Sequence, residues 1–132
     1  MDYFKALTLL LENASAPYSG FQVASMVVTQ DGTLFKGVNV ESVAYPTTMC
    51  AERNAIFTAI AQGMKTGEIV EVHILARNAE KNVVAAFPCG SCRQVIAEQS
   101  LNKATVYIYH SKEKVTIHTI EELLPNAFFS LD

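Results

Sequence analysis

The chain has 132 residues, half of them hydrophobic and 17% charged, and its 13 acidic and 10 basic side chains give a formal net charge of −3. This composition can form a hydrophobic core and excludes wholesale disorder, and the length fits one domain over residues 1–132. A nucleic-acid partner is not expected, because phosphate contacts need clustered lysines and arginines.

The sequence contains no candidate membrane span. Its longest uncharged stretch, residues 13–30, is interrupted by Asn, Ser, Pro, Gly and Gln, whereas a span needs about 20 mostly apolar residues. The N-terminal residues do not have the pattern of a signal peptide. We therefore expect a cytoplasmic protein with no membrane partner.

The first third of the chain reads as a helix followed by a hairpin. Apolar residues at helical spacing predict a helix over residues 3–12. A loop follows, and then two β-rich runs, 21–29 and 34–40. Asp31-Gly32 lies between the two runs and is a strong hairpin signal, so these strands should pair antiparallel.

The rest of the chain continues to alternate helices and strands. Thr47-Thr48 is the predicted N-cap of a helix that runs to about residue 62, with Gly63 at its C-terminal end. Thr119 and Glu122 form a capping box for a short last helix. Between these helices we expect strands over 69–76 and 83–87, a helix over 90–99, a strand over 104–110 and a short strand over 115–117.

This order of elements predicts an α/β fold. Helices interspersed among strands indicate a central sheet covered on both faces, and the hairpin makes the strand directions mixed. We expect a three-layer α/β/α sandwich around a central mixed five-stranded sheet.

The three cysteines, Cys50, Cys89 and Cys92, are the candidate metal ligands. Their odd number argues against a disulfide framework. They fall in the first turns of two predicted helices, where the macrodipole and free backbone N–H groups favour thiolates. Three thiolates fill three corners of a tetrahedral zinc site and leave the fourth for the water that a hydrolytic zinc needs.

Glu52 is the candidate catalytic residue. It follows Cys50 by two positions, and in a first helical turn both side chains lean toward the N-terminus, so its carboxylate can reach water at the metal. Three cysteines with a nearby glutamate as general acid and base are the arrangement of zinc deaminases.

Two other interpretations explain less of the pattern. A redox C-x-x-C would leave Cys50 and Glu52 without a role. A structural zinc module would need a fourth ligand, and its candidates are His73, His110 and His118, which lie in or beside predicted strands without ligand-like spacing.

From about Tyr18 to Phe128 the sequence resembles the cytidine deaminases of the small, homotetrameric, three-cysteine class. The matching segments are Pro17-Tyr18-Ser19 with Phe21-Gln22-Val23, Asn39-Val40-Glu41, Cys50-Ala51-Glu52-Arg53, the run Pro88-Cys89-Gly90-Ser91-Cys92-Arg93-Gln94, and Leu123-Leu124-Pro125 with Phe128.

The resemblance implies an activity and a cofactor. The reaction would be hydrolytic deamination of cytidine and 2′-deoxycytidine to uridine and 2′-deoxyuridine, with release of ammonia, in pyrimidine salvage. The cofactor would be Zn²⁺, held by the three cysteines, and Glu52 would move protons. A deaminase of a related nucleoside antibiotic, of the blasticidin type, is the alternative.

It also implies substrate contacts. Phe21 would pack on the pyrimidine ring, Asn39 and Glu41 would hold the ribose 3′-hydroxyl, and Ala51 would line the same pocket. An aromatic face stacks on a base, and an amide with a carboxylate can bind a hydroxyl as donor and as acceptor.

Four further residues are assigned by the same resemblance. Arg53, and by analogy Arg93, would donate to thiolate sulfur and restore the Lewis acidity that three negative ligands remove. Tyr45 and Phe128 match positions that help build a neighbouring subunit's pocket, which implies a homotetramer. From the sequence alone, the tail containing Phe128 could equally dock on its own core.

The sequence departs from the family pattern at two places. Ala24-Ser25 stand where glycine commonly follows F-x-V, and Pro46 follows Tyr45 where glycine is frequent. We expect the methyl group of Ala24 to lie beside the pocket floor and Pro46 to stiffen a substrate loop.

Overall fold

The computed structural model describes all 132 residues, in four helices and six strands. The helices are α1 Tyr3–Leu11, α2 Ala51–Ala61, α3 Gly90–Gln99 and α4 Ile120–Leu123. The strands are β1 Gln22–Thr29, β2 Leu34–Val38, β3 Ile69–Arg77, β4 Val83–Val84, β5 Thr105–Tyr109 and β6 Val115–Thr119. No helix is both long enough and apolar enough to cross a membrane.

The six strands form one mixed sheet. Five of them lie in the order β2-β1-β3-β5-β6, and the two-residue β4 pairs with β3 outside this path. β3 and β5 run parallel, and the other neighbours run antiparallel. The prediction of a mixed sheet is confirmed; the sheet has six strands rather than five, because the short β4 pairs with β3 beside the five-stranded path.

Helices cover both faces of the sheet, as predicted. On one face, Leu7 and Leu11 of α1 pack with Ala24 and Met26. Val27, the next residue of β1, points to the opposite face, because side chains alternate along a strand. There it joins the larger core cluster, to which helices α2, α3 and α4 contribute Ala55, Ile56, Ala59, Ile96, Ala97 and Ile120.

Several predicted boundaries shift. Helix α2 begins at Ala51 rather than after Thr48, because residues 45–47, with Pro46 in the middle, form one turn of 3-10 helix, and Cys50 then takes the N-cap position. Gly63 follows this helix with a φ of +106°, as the C-terminal glycine signal predicts. The capping box at Thr119 is confirmed.

The predicted strand over 83–87 is much shorter than expected. Only Val83 and Val84 pair with β3, and the chain then leaves the sheet edge to reach Cys89 at the start of α3. This departure has a consequence for the site, since Ala86 and Phe87 become available to line a cavity.

Candidate functional site

The N-termini of α2 and α3 bring the three cysteines together. Cys50 is the N-cap of α2 and Cys89 the N-cap of α3, and neither thiol forms a capping hydrogen bond. The three Sγ atoms lie within 4.8 Å of one another, and the Cys50 and Cys89 sulfurs are 3.7 Å apart. No histidine or carboxylate belongs to this cluster, so it is a three-thiol cluster suited to a metal ion.

The surroundings of the cluster favour thiolate at Cys50. A hydrogen bond with the Cys92 thiol, and another from Arg53, lower the pKa of Cys50 to about 5. The Nη2 atom of Arg53 lies 3.4 Å from the Cys50 sulfur. The hydrogen bond with Cys50 and burial raise the pKa of Cys92, so the first negative charge of the cluster resides on Cys50.

Glu52 is buried next to this charge. Its side chain is in the first turn of α2 and the residue is only 4% exposed. Burial, followed by the negative charge of Cys50, raises the pKa of Glu52 to about 7. A carboxyl group with such a pKa can both accept and donate a proton near neutral pH.

A cavity of about 230 Å³ opens beside the cluster. It combines two of the thiols with Glu52 and with four of the six residues predicted to contact the substrate, namely Phe21, Asn39, Glu41 and Ala51. Its lining residues are Phe21, Val23, Asn39, Glu41, Thr48, Met49, Cys50, Ala51, Glu52, Ile74, Ala86, Phe87 and Cys89.

Asn39 is buried at the end of the hairpin and bonds to the backbone of β1. Its Oδ1 accepts from the N–H of Val23 at 2.9 Å, and its Nδ2 donates to the carbonyl oxygen of Phe21 at 2.8 Å. An amide offers two N–H donors and two lone pairs, so one donor and one lone pair of Asn39 remain for a ligand.

Glu41 is held by the loop before β1. Its Oε1 accepts from the backbone N–H groups of Tyr18 and Ser19 at 3.0 and 3.1 Å, and its Oε2 accepts from the Ser19 hydroxyl. These hydrogen bonds, the Ser19 hydroxyl first, lower the pKa of Glu41. Its carboxylate is therefore ionised at neutral pH.

A wider depression of about 480 Å³ adjoins the cavity and shares Glu41 and Thr48 with it. Tyr45 lines this depression rather than the cavity and is 78% exposed. Phe128 lines neither of them; it is 69% exposed, and Gln94 of α3 donates to its carbonyl oxygen at 2.6 Å. Neither residue lines the cavity that contains the thiols of its own chain.

Arg93 has different partners from Arg53. Its Nε donates to the carbonyl oxygen of Pro88 and its Nη1 to that of Leu123, both at 2.7 Å. The structure therefore does not bring the Arg93 guanidinium to a cysteine sulfur. It ties the residue before Cys89 to the C-terminal end of α4.

The expected position of Ala24 at the pocket floor is wrong. Phe21 and Val23 line the cavity, whereas Ala24 packs with Leu7 and Leu11 on the α1 face of the sheet. The reason is the alternation of side chains along β1, which places residue 24 opposite residue 23.

The sequence interpretation did not single out several lining residues, among them Thr48, Met49, Ile74 and Phe87. Phe87 packs edge-on against His118 with ring centroids 5.0 Å apart. Its position next to Pro88-Cys89 is a signal that could have indicated a place in the cavity wall, since the cavity forms around the metal-ligand segment.

Comparison with known proteins decides the family. Residues 1–108 match the family model described as the cytidine and deoxycytidylate deaminase zinc-binding region. The chain belongs to this family. The match includes all three cysteines and Glu52, and it agrees with the resemblance inferred from the sequence motifs.

Individual relatives agree with the family match. A cytidine deaminase of Sporosarcina psychrophila is 39% identical over 92% of this chain and 85% of its own length. The crystal structure of cytidine deaminase from Burkholderia pseudomallei, 36% identical, superimposes with a TM-score of 0.85 over 94% of both chains. A blasticidin-S deaminase of Bacillus cereus is 30% identical over 78% of this chain and 74% of its own. The fold is thus that of the cytidine deaminases.

Proposed function

We propose that this protein is a zinc-dependent cytidine deaminase that converts cytidine and 2′-deoxycytidine to uridine and 2′-deoxyuridine with release of ammonia. One observation carries the proposal: a buried glutamate, Glu52, lines a cavity beside a three-thiol cluster that has no fourth protein ligand. The cytidine deaminases among the relatives support the same reaction.

The thiol cluster fits zinc. Zn–S bonds of about 2.3 Å at tetrahedral angles place two sulfurs about 3.8 Å apart, and the sulfurs of Cys50 and Cys89 are 3.7 Å apart. Zinc, when bound, supplies Lewis acidity that activates water for attack on C4 of the pyrimidine ring. The three ligands would be Cys50, Cys89 and Cys92.

Glu52 moves the protons in this proposal. Its carboxylate takes a proton from the attacking water and passes it to N3 of the ring. A second proton goes from the former water to the amino group, the C4–N bond breaks, and ammonia leaves. The raised pKa of Glu52, about 7, suits a group that must gain and lose a proton within one cycle.

Three cavity residues bind the nucleoside. Phe21, which is 37% exposed, offers its ring to the pyrimidine face. The free N–H of Asn39 donates to a ribose hydroxyl, and the ionised Glu41 accepts from that hydroxyl. Ala51 is fully buried and lines the cavity with a single methyl group, which leaves room for the ring.

Arg53 adjusts the charge of the metal site. Three thiolates around a divalent ion leave a net negative charge, which weakens the ion as a Lewis acid. Donation from Arg53 to the Cys50 sulfur draws electron density from the ligand. Burial of Cys92 makes this compensation more important, because charge is poorly screened away from water.

The assembly is proposed to be a homotetramer in which each site includes residues of a neighbouring subunit. Tyr45 and Phe128 are large and exposed and do not line the cavity that contains the thiols of their own chain, which suits residues that complete another copy's pocket. Light scattering after gel filtration measures the state, and a monomeric active enzyme would overturn this part of the proposal.

The decisive experiment compares four substrates on the zinc-loaded protein by ammonia release: cytidine, 2′-deoxycytidine, free cytosine and blasticidin S. We expect turnover of both nucleosides and none of the base. Exclusive activity on blasticidin S would assign the chain to the antibiotic-deaminase branch, which the relative from Bacillus cereus makes the second candidate. If none of the four compounds releases ammonia, the protein would be a zinc-binding module without catalytic activity.

A further inference from the structure

The hydroxyl of Ser19 lies between two residues of the cavity. Its Oγ accepts a hydrogen bond from the backbone N–H of Phe21 at 2.9 Å and donates its proton to Oε2 of Glu41. The backbone N–H of Ser19 adds a bond to Oε1 of the same carboxylate at 3.1 Å. One short side chain therefore joins the backbone of the aromatic residue to the carboxylate.

Phe21 is fixed on both sides of its peptide backbone. Ser19 binds its N–H, and the Asn39 amide binds its carbonyl oxygen at 2.8 Å. The carboxylate of Glu41, by contrast, forms no salt bridge, and its hydrogen-bond partners belong to Tyr18 and Ser19. The direction of the Glu41 carboxylate thus depends strongly on Ser19.

The loop that carries Ser19 is anchored independently of its hydroxyl. The N–H of Gly20 bonds to the carbonyl oxygen of Ala16 at 2.9 Å. Ser15 exchanges backbone hydrogen bonds with the hairpin, donating to Asn39 O at 3.0 Å and accepting from Glu41 N at 2.8 Å. Removing the Ser19 hydroxyl therefore leaves the loop backbone in place and releases only its two side-chain bonds.

We propose that Ser19 is a positioning residue for substrate binding, which holds the Phe21 ring and the Glu41 carboxylate at a fixed separation so that one nucleoside contacts both. This inference rests on the proposed function. Ser19 acts through its two neighbours, so its loss should weaken binding of a base joined to a sugar rather than slow proton transfer at Glu52.

The test uses Ser19→Ala and Ser19→Thr in the zinc-loaded protein, with cytidine turnover and calorimetric binding of uridine as readouts. For Ser19→Ala we expect KM for cytidine to rise about tenfold, as for loss of a hydrogen bond to a charged group, with kcat changed less than about twofold. Uridine affinity should fall by a similar factor. Ser19→Thr keeps the hydroxyl and should restore both.

Ser111→Ala is the matched control, because the Ser111 hydroxyl also accepts backbone N–H bonds but lies in the turn before β6. An unchanged KM in Ser19→Ala, a loss confined to kcat, or failure of Ser19→Thr to rescue would overturn the role of Ser19. A wild-type protein that neither binds uridine nor deaminates cytidine would instead overturn the proposed function, and this inference with it.

Discussion

Gly37 of β2 lies against Ala51, the first residue of α2. A Cβ atom at residue 37 would stand 2.4 Å from the carbonyl oxygen of Ala51 and 2.3 Å from the backbone nitrogen of Ala55. Both contacts are with backbone atoms, which cannot rotate away. The absence of a side chain at residue 37 therefore sets how closely the helix that carries Glu52 approaches the sheet.

Gly37→Ala should destabilise the fold and reduce activity together. Forcing a methyl group into this contact costs about 1–3 kcal/mol, as overpacking of a core does, and displaces Cys50 and Glu52 with the helix. Thermal unfolding and kcat/KM for cytidine measure the two effects. Gly90→Ala is the stability control, since a Cβ there meets nothing within 4 Å; equal losses in both variants would contradict the packing argument.

Glu52→Gln should lower turnover by at least about 100-fold without loss of zinc. The amide keeps the size of the side chain but cannot move a proton, and removal of a general acid–base group lowers kcat by about 10²–10⁴-fold. Because the buried site already favours the neutral carboxyl, the variant should be at least as stable as the wild type. Metal analysis and ammonia release are the measurements, and an active, zinc-loaded Glu52→Gln enzyme would refute the proton-transfer role.

Arg53→Ala should weaken zinc binding, whereas Arg93→Ala should lower the stability of the fold. Loss of the donor to the Cys50 sulfur should weaken zinc binding about 10–100-fold, as loss of groups that support metal ligands does. Arg93→Ala removes bonds to the carbonyl oxygens of Pro88 and Leu123 and should chiefly lower the unfolding temperature. Competition with a chelator separates the two; a larger loss of zinc affinity in Arg93→Ala would reverse the assignment.

Cytidine 5′-monophosphate should be a much poorer substrate than cytidine. The cavity and the adjoining depression are lined by two acidic residues, Glu41 and Glu52, and by no lysine, arginine or histidine. A dianionic phosphate would meet a carboxylate without a compensating cation, so we expect kcat/KM to fall about 100-fold or more. Steady-state kinetics on both compounds tests this, and equal values would mean that a cation from elsewhere reaches the site.

His73 should make stability depend on pH. Its ring stacks between Tyr3 and Tyr107 at 3.8 and 4.3 Å, and its nitrogens lie 2.8 Å from Glu71 Oε1 and from the Tyr109 hydroxyl. Burial lowers the pKa of His73 below its ordinary value of 6.5, although Glu71 opposes the shift. The unfolded chain then binds the proton more readily, so stability is lost as the pH falls through about 6.5.

The measurement is the urea midpoint between about pH 5 and pH 8 for the wild type and for His73→Gln. Glu52 has a raised pKa, so it favours the folded state at lower pH, which is opposite to the effect of His73. Both proteins contain Glu52, so subtracting one stability curve from the other removes its contribution. We expect the wild type to lose stability relative to the variant at acid pH. If stability changes with pH in the same way in both proteins, His73 is not the group responsible for the pH dependence.

The sequence predicted the parts of the site that depend on short-range patterns. Cys50 and Glu52 share one helical turn, and Cys89 and Cys92 share another, so two local signals sufficed to place them. The hairpin at Asp31-Gly32 likewise follows from its own residues. These features can be predicted without knowing which distant segments pack against them.

Other features depend on contacts between distant segments. Thr48 and Cys50 are both possible helix starts, and the 3-10 turn at Pro46 decides between them. The partner of Arg93 depends on where α4 ends, thirty residues later in the chain. The error at Ala24 had a different cause. Side chains alternate along a strand, so the sequence alone places residue 24 on the opposite face of β1 from residue 23.

The parallel pairing of β3 and β5 has a consequence for how far this chain can be shortened. Parallel neighbours need a crossover, usually through a helix, whereas antiparallel neighbours need only a tight turn. Here that crossover is the segment that contains Cys89, Cys92 and α3. A deletion that trimmed it to a turn would reverse β5 and remove two of the three thiols at once. The same connection thus carries the cysteine pair and allows β5 to run parallel to β3, so a deletion that removes the connection loses both.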